Sequence, residues 1–346
     1  MIQSLFGTRL ALIQAPMAGV QDAKLAASVS EAGGLGSLPC AMLSAQQLRE
    51  QLELLTTITN KPYNLNFFCH TAGHYTRVQQ QAWQQLLQPY FNEFNIDAAA
   101  LTQSASRQPI TQQVVDIIAP YAPPVVSFHF GLPHNRLLQQ IKNWGATVIS
   151  TATTVNEAKW LEAHGADAII AQGLEAGGHR GHFLSMDLTL HSNTAELVKN
   201  CVTAVSVPVI AAGGINSADA VSQMQRLGAA GVQVGSAYLL CNEAQTSPLH
   251  REAILAQPSG SDATAITNLL SGRAARGIRN RIMTELNYNS ELAAPFPYAN
   301  IAITALRANA EAQGRDDFTP LWCGQNYIPR ADVSAASITQ NLMSKW

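Results

Sequence analysis

The sequence predicts an α/β fold, a (β/α)8 TIM-type barrel with a smaller, mainly helical lobe, and three observations carry that prediction. Eight short apolar runs alternate with helical patterns. Each run closes on Gly, Pro or a small polar residue, the punctuation of repeated strand–helix units about a parallel sheet. The third observation is size: 346 residues at 47% hydrophobic composition supply the core of one large barrel or of two ordinary domains.

The runs, in order, are "LALIQAP" (10–16), "GLGSLP" (34–39), "PYNLNFF" (62–68), "PVVSFHFG" (124–131), "ATVISTAT" (146–153), "ADAIIAQG" (166–173), "VPVIAAGG" (207–214) and "AGVQVGS" (230–236). Between the fifth and sixth, "TVNEAKWLEAHG" reads as a helix, with Thr154 as its N-cap and Gly165 as its stop. Residues 70–123, polar and Gln-rich, and everything after about residue 245 break the repeat. Such barrels work at the C-terminal ends of their strands, so an insertion after the third strand and a tail after the eighth can both roof that face. The expected organisation is therefore a barrel over 1–244, its insertion 70–123 partly roofing the site, and a mainly helical substrate-covering lobe and tail over 245–346. A doubly wound open sheet is the competing architecture, but its dinucleotide fingerprint should follow the first strand. The nearest match, "GGLGSLP", follows a helical pattern and puts Pro39 where the third glycine belongs.

Bulk charge excludes several function classes. With 21 basic and 23 acidic residues the net charge is -2, which offers neither a nucleic-acid footprint nor an acidic tail. Cys40, Cys69, Cys201, Cys241 and Cys323 are odd in number and far apart, without a zinc or redox spacing, which fits a reduced, cytoplasmic compartment. No uninterrupted apolar run reaches the length of a membrane span, and Arg9 with "LALIQAP" reads as a first core strand instead of a leader. No membrane partner is expected, and a homo-oligomer is left open.

The seventh run ends in Gly213 and Gly214, and the eighth in Gly235 and Ser236 before an expected helix. In this fold the loops after strands seven and eight commonly hold a phosphate, because glycine lets main-chain amides approach the oxygens and a helix N-terminus carries partial positive charge. Taken singly, each turn is equally well explained as a tight strand-to-helix connection. Taken together they favour a phosphate, on the substrate or on a cofactor such as FMN. "APMAG" (15–19), "NLNFF" (64–68) and Gln172 add a ring of neutral hydrogen-bonding groups that suits a flavin edge and ribityl chain better than a charged sugar phosphate.

"EAGGHRGH" (175–182) follows the sixth run. A metal set of Glu175, His179 and His182 needs a helix that Gly177, Gly178 and Gly181 oppose, so no metal is expected. The glycines instead let the backbone lie close under a planar ring, with His179 over it. A second histidine, His129 of "SFHFG", is either a pocket residue or a satisfied wall residue, and Tyr298 of "PFPYAN" either reaches the substrate or simply packs. The run "SGRAARGIRNR", with Arg273, Arg276, Arg279 and Arg281, lacks interleaved aromatics, so a structural or lobe role outweighs nucleic acid. Arg180 stays unassigned.

"APMAG", "NLNFF", "SFHFG", "AQGLEAGGHRG", "PVIAAGGI", "GVQVGSAYLLC" and "SGRAARGIRNR", in this order, resemble the nitronate monooxygenases, formerly 2-nitropropane dioxygenases, of the bacterial class I type. The resemblance spans most of the chain. It implies an FMN-containing barrel that uses O2 to convert alkyl nitronates, propionate 3-nitronate characteristically, into carbonyl compounds and nitrite. Carried over by position, it implies FMN contacts at Asn66, Gln172, Gly177, Gly214, Gln233, Val234, Gly235 and Ser236, with His179 catalytic; the reading of the residues adds Ala15, Met17, Gly178 and Gly213 to the expected cofactor contacts, and His129 and Tyr298 to the expected substrate side. The family often has Thr where Ser236 stands, a change that keeps the hydroxyl. Enoyl-ACP reductases share the barrel and an "EAGGH" loop, so an FMN-dependent NAD(P)H reductase, of that or the quinone reductase type, is the alternative. Histidine titrates near neutrality, so His179 suits removal of the α-proton of a neutral nitroalkane, whereas a preformed nitronate needs only to be positioned.

Overall fold

A computed structural model describes residues 2–71, 73–101, 107–256 and 263–346. Parts of the expected insertion (72 and 102–106) and of the expected lobe (257–262) lie outside the described residues.

All eight predicted runs form strands. They are β1 (Leu12–Gln14), β2 (Gly36–Pro39), β3 (Tyr63–Phe68), β4 (Val125–His129), β5 (Thr147–Ala152), β6 (Ala168–Gln172), β8 (Val209–Ala212) and β9 (Gly231–Val234), all paired in parallel. The sheet order β1-β9-β8-β6-β5-β4-β3-β2 closes on itself through a parallel bridge between Ile13 and Leu35. Each strand is buried on both faces, which is why its sequence reads as a continuous apolar run without alternation. Helices cover the outside. Thr154 caps the helix Val155–Ala163 by accepting from the Glu157 amide, and Gly165 turns out of it at φ +99. The "GGLGSLP" glycines serve packing: a Cβ on Gly36 would stand 1.8 Å from the Ala26 carbonyl oxygen on the neighbouring helix.

The tail differs from its helical expectation in one respect. Besides the helices Pro248–Ala256, Arg281–Glu285, Ala299–Glu311 and Ala335–Leu342 it contributes strands β10 (Thr264–Thr267) and β11 (Ala275–Ile278), which form a three-stranded antiparallel sheet with β7 (Gly178–His179). "ATAIT" and "AARGI" show no clean alternation because the strands are short and largely buried on both faces, so no period-2 signal marked them. The helix expected at Ser236 is also shorter, a single 3₁₀ turn over Ser236–Tyr238.

A separate apolar core joins the insertion to the tail. Trp83, Leu87 and Phe91 of the helix Arg77–Glu93 pack with Leu269, Ile282, Ile303, Leu306 and Phe318. The last helix returns to the barrel, where Ala335, Ile338 and Leu342 join the core that contains Ile2 and Tyr238. No described helix is long and apolar enough to cross a membrane.

Candidate active site

The C-terminal ends of the barrel strands converge on one cavity. Its wall takes Ala15 and Met17 after β1, Asn66 and Phe68 on β3, His129 on β4, Thr151 on β5, Gln172 on β6, Gly213 and Gly214 after β8, and Gln233 to Ser236 at the end of β9. The loop after β6 closes one side with Gly177, Gly178 and His179, and the tail supplies Trp322, Gly324 and Asn326. Thus every predicted cofactor residue faces this space. Among the predicted substrate residues, His129 does and Tyr298 does not.

At the β8–β9 end the wall is main chain. Gly213 and Gly214 sit at φ +118 and +67, a backbone that L side chains rarely adopt, and a Cβ on Gly214 would meet Glu175 Cβ and Asn326 Nδ2, each at 2.9 Å. The amides of Gly213, Gly214 and Gly235 have no hydrogen-bond acceptor among the described residues. Gln233 Oε1 is buried and equally unpartnered, an acceptor awaiting a donor. Gly178, at φ +73, faces open space where a Cβ would meet nothing within 4 Å. Free donors at a tight turn, an orphan acceptor and a flat glycine wall fit a phosphate at one end and a polar-edged ring beside it.

The loop carrying His179 is extended, not helical. Its backbone is locked from both sides: Gly178 and His179 pair with Arg276 and Ala275 of β11, and the His179 carbonyl accepts from Gln172 Nε2 (3.0 Å) and His129 Nε2 (3.1 Å). Gln172 Oε1 meanwhile takes the Gly181 amide at 2.9 Å, so this predicted cofactor residue spends both ends of its amide on the loop. The His129 hydrogen bonds define its tautomer. A carbonyl only accepts, so Nε2 carries the proton and Nδ1 receives the Thr151 hydroxyl at 3.1 Å. Burial pushes its pKa down to about 3, so His129 is a neutral, fully engaged wall residue that holds up His179.

His179 itself is set by the tail. Its Nε2 lies 2.8 Å from Ser271 Oγ, and that hydroxyl is 3.2 Å from the Arg273 carbonyl. Because the serine proton goes to the carbonyl, Nε2 must donate to Ser271, and Nδ1 is left with a lone pair. Burial, reinforced by the charge on Arg107, holds the pKa of His179 well below its ordinary value, so the ring is neutral at neutral pH and Nδ1 presents its lone pair. Around it stand Phe296, Trp322, Phe130 and Phe68, with ring centroids 5.4, 5.5, 6.2 and 6.5 Å away. These rings pack the imidazole on its flanks while His179, half-buried, still lines the cavity.

Several of these residues escaped the sequence reading: Ser271, Phe296 and Trp322 next to His179, and Phe68, Thr151 and Arg107 in the wall. Phe68 lies inside the quoted "NLNFF", but nothing in that string marks the ring as inward. The tail stretch 322–326 is pinned across the cavity by Ser236 Oγ, which accepts the Gly324 amide at 2.8 Å, and by the Gln325 amide donating to the Glu175 carbonyl at 2.8 Å. That crossing explains Gly177, where a Cβ would sit 2.5 Å from the Cys323 carbonyl carbon. Arg180 points away from the cavity, fully buried, donating to the carbonyls of Gly173 (2.6 Å) and Gln172 (2.8 Å). The arginine run is likewise structural: Arg276 Nε donates to the Leu174 carbonyl at 2.9 Å, and Arg281 joins Glu93, Glu285 and Asp317. Tyr298 stacks on Tyr75, with centroids 4.8 Å apart and planes 18° off parallel, within the lobe core.

Fold and site together define a (β/α)8 barrel of the enzyme type, with a half-buried, neutral histidine at the mouth of the barrel. The model of the nitronate monooxygenase family matches residues 1–345, and the chain belongs to that family. A nitronate monooxygenase of Pseudomonas aeruginosa is 35% identical over 343 residues, which cover 99% of this chain and 97% of that one. One from Paraburkholderia phytofirmans is 34% identical over 98% of this chain and 92% of its own. Among solved structures, the nitroalkane oxidase of Streptomyces ansochromogenes superposes with a TM-score of 0.89 at 30% identity, covering 99% of this chain and 97% of that chain. FabK of Thermotoga maritima shares the fold with a TM-score of 0.73 at 24% identity, over 99% and 94% of the two chains. Nitronate oxidation is thus the activity of the family to which this chain belongs.

Proposed function

We propose that the chain is an FMN-dependent nitronate monooxygenase that takes alkyl nitronates and O2 to carbonyl compounds and nitrite, with His179 as its base. One observation supports this above the rest: the free Nδ1 of a neutral His179 shares a cavity with unpaired glycine amides and the orphan Gln233 Oε1. FMN, when bound, supplies one-electron chemistry between the nitronate and O2. Its phosphate would be held by the amides of Gly213, Gly214, Gly235 and Ser236, and its polar ring edge by Gln233, Asn66 and the main chain at Ala15 and Met17. Val234 and the glycines 177 and 178 would line its faces. His179 Nδ1 takes the α-proton of a neutral nitroalkane or lies against a substrate already ionised, and Ser271 keeps the proton on Nε2 throughout. In this reading the barrel, 1–244, carries the cofactor, and residues from 70–123 and 245–346 cover the substrate.

The test is anaerobic mixing of purified protein with propionate 3-nitronate or with NADPH, followed by mass analysis of the heat-released yellow compound. Flavin bleaching by the nitronate, nitrite on readmitting O2 and a mass of FMN are expected. Bleaching by NADPH alone would replace this reading with the reductase shared by fold with FabK.

A further inference from the structure

The cavity carries a charge that no carboxylate among the described residues lining it offsets. Arg107 is the one arginine or lysine among the described residues lining it, and no aspartate or glutamate lines it. The side chain is only 8% exposed, and its Nη1 has no hydrogen-bond partner. No ion pair to a carboxylate involves it among the described residues. Burial lowers its pKa to about 10, which still leaves it protonated at neutral pH. A buried, unpaired guanidinium is costly to keep, and the cost is relieved when an anion enters. Its position also matters. It lines the same cavity as His179, Phe68 and Trp322, and its charge bears on the His179 ring.

We propose that Arg107 is the residue that binds the negative charge of the substrate, and that it makes the enzyme select the ionised nitronate over its neutral conjugate acid. The proposal rests on the nitronate reading above and adds the recognition element to it. One guanidinium matches one nitronate anion: two planar N–H groups meet the two oxygens of a planar CNO2 group, as they would a carboxylate. His179 then needs no charge of its own, consistent with its neutral ring. Arg107 also favours ionisation of a bound nitroalkane, because the product of proton loss is the form that it attracts.

The experiment uses the FMN-loaded enzyme and two variants, Arg107→Met and Arg107→Lys. Calorimetric titration with sodium nitrate, a planar oxyanion, reads the anion site without turnover, and steady-state kinetics compare propyl-1-nitronate with 1-nitropropane as substrate or competitor. Loss of a charge-assisted hydrogen bond predicts that Arg107→Met weakens nitrate binding and lowers kcat/KM for the nitronate by roughly tenfold or more. The constant for 1-nitropropane should move by less than about twofold, and Arg107→Lys should recover part of the loss, since it keeps the charge but not the fork. Unchanged nitrate affinity overturns the proposal. So does loss of FMN from Arg107→Met, which would make Arg107 a cofactor ligand, or an equal fall for charged and neutral compounds. If nitrate binding depends on Arg107 while the wild type oxidises no nitronate, the anion site stands and the substrate reading fails. A wild type that oxidises nitronates with nitrate binding indifferent to Arg107 shows the reverse.

Discussion

The two ends of the cavity are built from different materials. At the β8–β9 end, glycines with positive φ present main-chain amides, and each turn is written in a few consecutive letters. At the His179 end, Phe68 and Phe130 of the barrel meet Ser271, Phe296 and Trp322 of the tail, side chains that come together only when the tail folds over the barrel. The first kind of site is robust to side-chain change but intolerant of a Cβ. The second tolerates small backbone shifts poorly, because its chemistry depends on which nitrogen holds a proton.

The largest effect should come from breaking the main-chain end. Gly214→Asp puts a β-carbon within 2.9 Å of Glu175 and Asn326 at φ +67 and adds a carboxylate where the phosphate would lie. The variant should purify without yellow colour while keeping a cooperative thermal melt. A full complement of yellow flavin would remove Gly214 from the cofactor site.

Next in size is the base. His179→Asn keeps a hydrogen-bonding group but no titratable one, so turnover of a neutral nitroalkane should fall by about 10²- to 10⁴-fold, and that of a preformed nitronate by less. The pH profile sharpens the point. Burial holds His179 well below the ordinary histidine value of about 6.5, so the ring is already neutral there, and the acid limb of kcat/KM for a nitroalkane should fall below that pH. A limb at or above that value would mean that the protonated ring, not the neutral one, occupies this loop.

What the sequence made legible follows the same division. All eight barrel strands were readable because β1–β6, β8 and β9 are buried on both faces and end at glycine, proline or small polar residues. The glycine turns were readable for the same local reason, as was His179 between its glycines. Ser271 and Trp322 were not, since a serine in "LLSGR" and a tryptophan in "PLWCG" carry no sign of the histidine that they approach. Nor was Arg107, whose meaning lies in what is missing around it. Gln172 shows the intermediate case. Its position and the loop were both foreseen, but not that its amide clamps that loop.

Ser271 offers a smaller perturbation at the side-chain end. Ser271→Ala removes the acceptor for His179 Nε2–H, freeing the ring to take the other tautomer. A lost hydrogen bond of about 1–1.5 kcal/mol corresponds to roughly tenfold in kcat for a nitroalkane, with FMN content unchanged. Ser271→Thr keeps the hydroxyl and should restore most of it. If Ala and Thr lose activity alike, the position matters for packing and the tautomer is held by something else.

The smallest effect is expected at Tyr298. From the sequence it stood as a substrate residue, yet its ring lies against Tyr75 in the core that joins the insertion to the tail, and it is absent from the described cavity wall. Stacking of this kind is worth about 0.5–1.5 kcal/mol and does not depend on the hydroxyl. Tyr298→Phe should therefore leave kcat and KM for a nitronate within about twofold, whereas Tyr298→Ala should lower the melting temperature through loss of the stack and the void it leaves. A drop of tenfold or more in kcat/KM for the Phe variant, with an unchanged melt, would bring that hydroxyl to the substrate. Since Phe296, two residues earlier, already packs against His179, the ring would get there by leaving its stack on Tyr75, and the side-chain end of the cavity would then be assembled during turnover instead of beforehand.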